Sequence, residues 1–137
     1  MTNASLQTAG ILFLLLPTVA IGGYSLLYSI RRRDPANLDN PTRRAFFFAG
    51  RAHAGVWIVL ALVALRYVDD AELSNRLKWA VRSTLAFAPA FISAGFFLSM
   101  ASPKATSPNW LLWLVYLGAI LLLFGAVTLG LGLLRTS

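Results

Sequence analysis

The chain contains no cysteine, which excludes disulfides, thiolate catalysis and iron–sulfur ligation. Quinone-linked thiol oxidation, which needs cysteine pairs, goes with them. There is one histidine, His53. A diheme carrier needs paired axial imidazoles and a zinc site needs several ligands, so one ring supports neither. Intramembrane metalloproteolysis, which needs that zinc site, is excluded for the same reason. Charge is scarce as well: 12% of the 137 residues are charged, against about 25% in a soluble domain. Acid is scarcest. Asp34, Asp39, Asp69, Asp70 and Glu72 all fall outside the apolar stretches, so the membrane carboxylate that a proton-coupled exporter exchanges against cations is missing.

Hydrophobicity is what remains, at 58% of residues. Four apolar stretches, 6–30, 45–65, 77–100 and 110–134, follow one another along the chain. At 1.5 Å per residue each can cross a hydrocarbon core of about 30 Å. Together they predict a single transmembrane domain over 1–137, with no soluble domain, so any site lies in the bundle or a short loop. Short loops make sequential helices antiparallel neighbours, so the expected fold is all-α, an integral membrane four-helix bundle running up-down-up-down. The first stretch has no basic region before it and is followed by Arg31, Arg32 and Arg33. It reads as an uncleaved first helix and not as a signal peptide.

The net charge of +7 sits in membrane-flanking loops, where it sets topology and attracts anionic lipid; no nucleic-acid partner is implied. Arg31, Arg32, Arg33, Arg43, Arg44 and Lys104 flank one side, and Arg66, Arg76, Lys78 and Arg135 the other. Positive-inside reasoning then puts the arginine-rich loop 31–44 in the cytoplasm and both termini outside. Local signals mark the boundaries. Asn40 before Pro41 reads as cap and first residue of the second helix. Asp69 with Glu72 resembles a capping box ahead of the third, and Ser107 before Pro108 a cap ahead of the fourth. Trp79, Trp110, Trp113 and Tyr116 read as interfacial belt residues, and Tyr24 and Tyr28 as anchors. Pro17 and Pro89 fall inside helices, which each is expected to bend.

His53 lies about 12 Å into the core, counted from Ala45. The same count on the other helices reaches Gly22, Ser93 and Gly118. Two readings fit that layer. The small residues either let the helices close up while His53 bonds Ser93 or a backbone carbonyl, or they leave a cavity for a ligand. Trp57, one turn after His53, either walls such a pocket or simply packs. Arg51, at roughly 9 Å depth, stands about 200° around the helix from His53. It snorkels, meets a lipid phosphate or bound anion, or pairs with Asp34 or Asp39. Arg82 is expected to snorkel on the other side. Gly118, Gly125 and Gly132 recur every seven residues and suit tight packing, within the bundle or in a dimer. The candidate ligand-binding set is therefore His53, Arg51, Ser93, Trp57, Gly22 and Gly118. No catalytic residue, metal ligand or cofactor is assigned, although a five-coordinate heme on His53, or one shared across a homodimer, stays open.

The run NPTRRAFFFAGRAHAGVWIVLALVAL resembles the second helix of a small family of four-helix bacterial membrane proteins. In that family an A-H-A-G-V string follows a short arginine-containing turn, and a later segment resembles SAGFFL at 93–98. More remotely, the layout is similar to the hydroxylaminobenzene mutases, four-helix membrane proteins with an N-P turn before the second helix and a histidine just inside it. Pro41 and His53 are the matching positions. The mutases continue Leu-Glu-Gly where this chain has Ala54, Gly55 and Val56, so their acidic residue has no counterpart. The resemblance implies a four-helix fold in a bacterial cell membrane and, through the mutases, isomerisation of an aromatic hydroxylamine.

The functional expectation is a non-catalytic structural or accessory membrane protein, packed against itself, a larger complex or lipid. The alternatives are a binder of quinone, lipid or heme at the His53 layer, and a mutase-like isomerase.

Overall fold

Helix boundaries follow from caps that the side chains supply to free backbone N–H groups. In this computed structural model, which describes residues 1–136 (the backbone alone at 36 and 37), helix α1 spans Asn3–Arg32. The Thr2 hydroxyl accepts from the Ser5 N–H at its start. Arg33 ends it in a left-handed conformation, φ 48°, donating its N–H to Ile30. The loop that follows holds a one-turn helix, α2 (Pro35–Leu38), where the sequence suggests only a turn. Helix α3 covers Pro41–Val68 and opens as expected: the Asn40 side chain accepts from the Arg43 N–H at 3.0 Å and Pro41 takes the first helical position.

Two expected caps move. Helix α4 (Asn75–Ser99) is capped by Ser74, not by an Asp69–Glu72 box. Asp69 instead ends α3 and commits its carboxylate to an ion pair described below. Helix α5 (Trp113–Thr136) is entered through a 3-10 turn at Trp110–Leu112. That turn is capped by Asn109, whose Oδ1 accepts from the Leu111 N–H while its Nδ2 donates to the Leu98 carbonyl. Asn109 wins over Ser107 because it ties the loop to the end of α4 at the same time. Pro17 and Pro89 lie inside α1 and α4.

The fold is an all-α bundle, and α1, α3, α4 and α5 are each long and apolar enough to cross a membrane. Successive long helices pack side by side, α1 on α3, α3 on α4 and α4 on α5. The ring is not closed. Both α1 and α5 touch α3 and α4, yet among the described residues no part of α1 approaches α5. Two helices that touch the same pair but not each other lie on opposite sides of it. The bundle is therefore an open rhombus with α3 and α4 as its short diagonal.

Aliphatic packing is concentrated at one end. Leu12, Ile58, Leu65, Val68, Val81 and Leu129 belong to one buried cluster, all from the half of the bundle distant from the arginine-rich loop. Close contact between α4 and α5 rests on glycine. A Cβ at Gly118 would come within 2.6 Å of Ile92 Cγ1 and 2.8 Å of the Ile92 nitrogen. One at Gly95 would meet the Val115 nitrogen at 2.6 Å. The heptad glycines of α5 thus pack inside the bundle, two of them on α4 and Gly132 on Leu73 in the loop before it.

The same end is closed by a polar clamp, and here Arg82 departs from the snorkelling expectation. It is 8% exposed and ion-paired with Asp69. Its Nε donates to Ser5 Oγ at 2.8 Å and its Nη2 to Thr2 Oγ1 at 3.3 Å. Asp69 also accepts from the Thr2 backbone N–H and the Thr2 and Ser5 hydroxyls. Lys78 donates to the Asp69 carbonyl. A carboxylate within reach of a buried guanidinium outcompetes exposure to the interface, because each charge then satisfies the other's hydrogen bonds. The clamp joins the start of α1, the end of α3 and the first turns of α4.

Candidate functional site

The half of the bundle toward the arginine-rich loop holds the candidate residues. Their spacing along α3 decides which side each faces. His53 and Trp57, one turn apart, face the α5 side, where they line a groove between α3 and α5 floored by Ile92 and Phe96 of α4. Val115 and Ala119 form part of its α5 wall. The cavity volume is about 510 Å³, within the range of small-molecule sites. Of all the side chains lining it, His53 and Trp57 are the two that carry a nitrogen or oxygen.

His53 Nδ1 lies 2.7 Å from the Ala49 carbonyl, one turn back on its own helix. A carbonyl oxygen can only accept, so Nδ1 carries the hydrogen, and in the neutral ring Nε2 presents a lone pair. Among the described residues Nε2 has no protein partner. The ring stacks at a tilt on Phe96, centroids 5.2 Å apart, with Trp57 at 6.2 Å. The Trp57 indole N–H is buried and also without a hydrogen-bond partner. In an otherwise apolar wall the groove thus has a half-buried acceptor, His53 Nε2, beside an enclosed donor, the Trp57 indole N–H.

Arg51 faces the opposite side of α3, as its 200° separation requires. There it lines a second groove, about 240 Å³, between α1 and α4, with Gly22, Thr18 and Ser93. Its Nε donates to the Gly22 carbonyl at 3.0 Å and its Nη1 to the Phe47 carbonyl at 3.2 Å. Its guanidinium lies between the Phe47 and Phe97 rings, 5.6 and 5.7 Å from their centroids. Of the alternatives for Arg51, pairing with Asp34 or Asp39 is not formed; two backbone carbonyls accept from it instead. Ser93 Oγ is buried without a hydrogen-bond partner.

The expected single layer thus splits in two. His53 and Trp57 stay together, Arg51 joins Gly22 and Ser93 behind the α3–α4 pair, and Gly118 packs on the α4 backbone beside the His53 groove. His53 bonds Ala49, not Ser93, because Ser93 faces away from it. Phe96 is the groove residue that the sequence reading missed. Its signal was present: it stands one turn after Ile92 in SAGFFL, on the α4 face that receives α5. Among the described residues no three of His, Cys, Asp or Glu converge as a metal site. No protein-family model, no curated protein and no solved structure matches the chain.

Proposed function

We propose that this protein is a small, non-catalytic membrane component that holds a neutral amphipathic molecule of quinone or quinol type in the groove between α3 and α5. The observation that carries the reading is the pair of groups without a protein partner, Trp57 Nε1–H and His53 Nε2, in a wall that is otherwise hydrocarbon. A buried N–H without a partner costs about 1–3 kcal/mol, which a ligand oxygen would recover when a rotation of the Trp57 ring brings Nε1 to the groove. A quinone carbonyl accepts from the indole, and a quinol hydroxyl also donates to the imidazole. An isoprenoid or acyl tail suits the remaining lining, and Phe96 and Trp57 offer flat faces to a ring.

Heme shares one feature with this site, since a ligating histidine commonly donates its other ring N–H to a carbonyl. Heme also carries two propionates, however, and apart from His53 the groove lining holds no basic side chain to meet them. The mutase-like reading would require a second acid–base group beside the imidazole, and the lining supplies no carboxylate. We place the protein in a bacterial cell membrane with the arginine-rich loop cytoplasmic and both termini outside, on the excess of flanking Arg and Lys at that end.

The test is organic extraction and mass analysis of detergent-purified protein, with an absorption spectrum, for wild type, His53→Ala and Trp57→Phe. Stoichiometric quinone in wild type, depleted in both variants, is the expected result. A Soret band lost in His53→Ala would replace the reading with heme. Protein free of quinone and heme, and unchanged when quinone is supplied, would leave a purely structural component.

A further inference from the structure

We propose that the cleft where Arg44 and Arg51 face α1 binds the phosphodiester of an anionic phospholipid, with an acyl chain running into the α1–α4 groove past Ser93. The site lies behind the α3–α4 pair from His53 and stands or falls independently of the quinone reading.

Arg51 is the starting point. At the other end of the bundle the buried Arg82 guanidinium finds its counter-charge in Asp69. Arg51 sits about 9 Å inside its helix end, and no carboxylate lies within ion-pair range of it. Two carbonyls accept two of its five N–H groups and leave the charge uncompensated. Its direction is informative: the bond to Phe47, one turn back, turns the guanidinium toward the arginine-rich end. Arg44 is seven residues earlier, within about 20° of the same helical stripe. Both line a shallow cleft with Leu26 and Ser29 of α1. Two cations stacked along one stripe, the outer one exposed and the inner one aimed toward it, suit one phosphate held between them.

What distinguishes a lipid from a free anion is the second cavity. Arg51 also lines the 240 Å³ groove, which runs along α1 from Gly22 to Leu12, about 15 Å of helix. Its walls are mostly apolar, with Leu12, Leu15, Val19 and Ile58 among them. A narrow cleft of about 10 Å³ flanked by two arginines, which would seat a phosphate at its mouth, meets through Arg51 a mostly apolar groove that would take the chain.

The experiment uses the full chain, delipidated in a neutral detergent, with phosphatidylglycerol titrated in native mass spectrometry. One tight adduct is expected, with phosphatidylcholine at least about tenfold weaker, because it offers the same phosphodiester but brings a choline cation against two arginines. Arg51→Gln should weaken phosphatidylglycerol by a similar factor. Because Arg51 also ties α3 to α1, Arg44→Gln repeats the test at an exposed position without touching that contact. Arg66→Gln, which removes a charge at the other end, should change nothing. Equal binding of the two lipids, no loss in Arg44→Gln, or displacement by millimolar inorganic phosphate would overturn the proposal.

Discussion

Asp69 sits at the meeting point of three helices, and its environment acts on it in two directions. Partial burial pushes its carboxyl up. The Thr2 backbone N–H, the Arg82 guanidinium and the Ser5 and Thr2 hydroxyls outweigh this and hold it well below the usual carboxylate range. A carboxyl whose folded pKa is depressed stabilises the fold fully above its unfolded value, near 3.9, and loses that contribution as pH falls toward the folded one. The thermal midpoint in detergent should therefore be flat from about pH 7 to 5 and fall below about 4, and Asp69→Asn should remove that acid dependence. Arg82→Leu leaves the carboxylate without its cation and should cost about 3 kcal/mol, the lower end for a buried pair, measured by denaturant unfolding in mixed micelles. This clamp was only half legible in the sequence. Its carboxylate lies beyond the end of an apolar stretch, and counting charges within stretches misses a partner just outside one. His53 and Trp57 were legible, since their one-turn spacing fixes a shared face whatever packs against it.

At the scale of elements, depth along each helix was readable and angle around it was not. Counting residues from helix ends brought Gly22, Ser93 and Gly118 level with His53, but the side that each faces depends on which neighbours the helix acquires. In α4, Ile92 and Phe96 point to α5 while Ser93 and Pro89 point to α1, so one residue of offset moves a side chain between grooves. The glycine seam of α5 gives a direct check on these contacts. Gly118→Ala drives a methyl into α4 backbone and should destabilise by about 1–3 kcal/mol. Gly130→Ala, where a Cβ meets nothing within 4 Å, should be neutral or stabilise by a few tenths. Unfolding of the two variants side by side separates a seam inside the bundle from one kept for a dimer, in which case both would be tolerated by the monomer.

For the whole molecule, the open rhombus is the feature that the sequence did not reveal. Short loops fix sequential neighbours, and the four spans, their order and the all-α class follow from that. Whether the first and last helices then meet depends on side-chain volumes across the centre. Here Arg51 with Phe47 and Phe97 on one side, and His53 with Phe96 on the other, stand between α3 and α4 and their flanking helices. The absence of native cysteine makes the proposed orientation easy to test. With an impermeant maleimide on intact cells, Glu72→Cys should label and Lys104→Cys should label only after permeabilisation; the reverse pattern would invert the topology.

Trp57 is the one tryptophan that lines the His53 groove, while Trp79, Trp110 and Trp113 are about 70% exposed near helix ends. Its fluorescence therefore reports on that groove. The most direct measurement is a titration of the purified protein with a short-chain quinone, following tryptophan quenching in wild type, Trp57→Phe and His53→Leu. Saturable quenching in wild type, with its saturable part gone in Trp57→Phe and its midpoint raised at least about tenfold in His53→Leu, is the expected result. Quenching that is linear throughout, or a saturable phase that survives both substitutions unchanged, would contradict a quinone-type ligand held by Trp57 and His53.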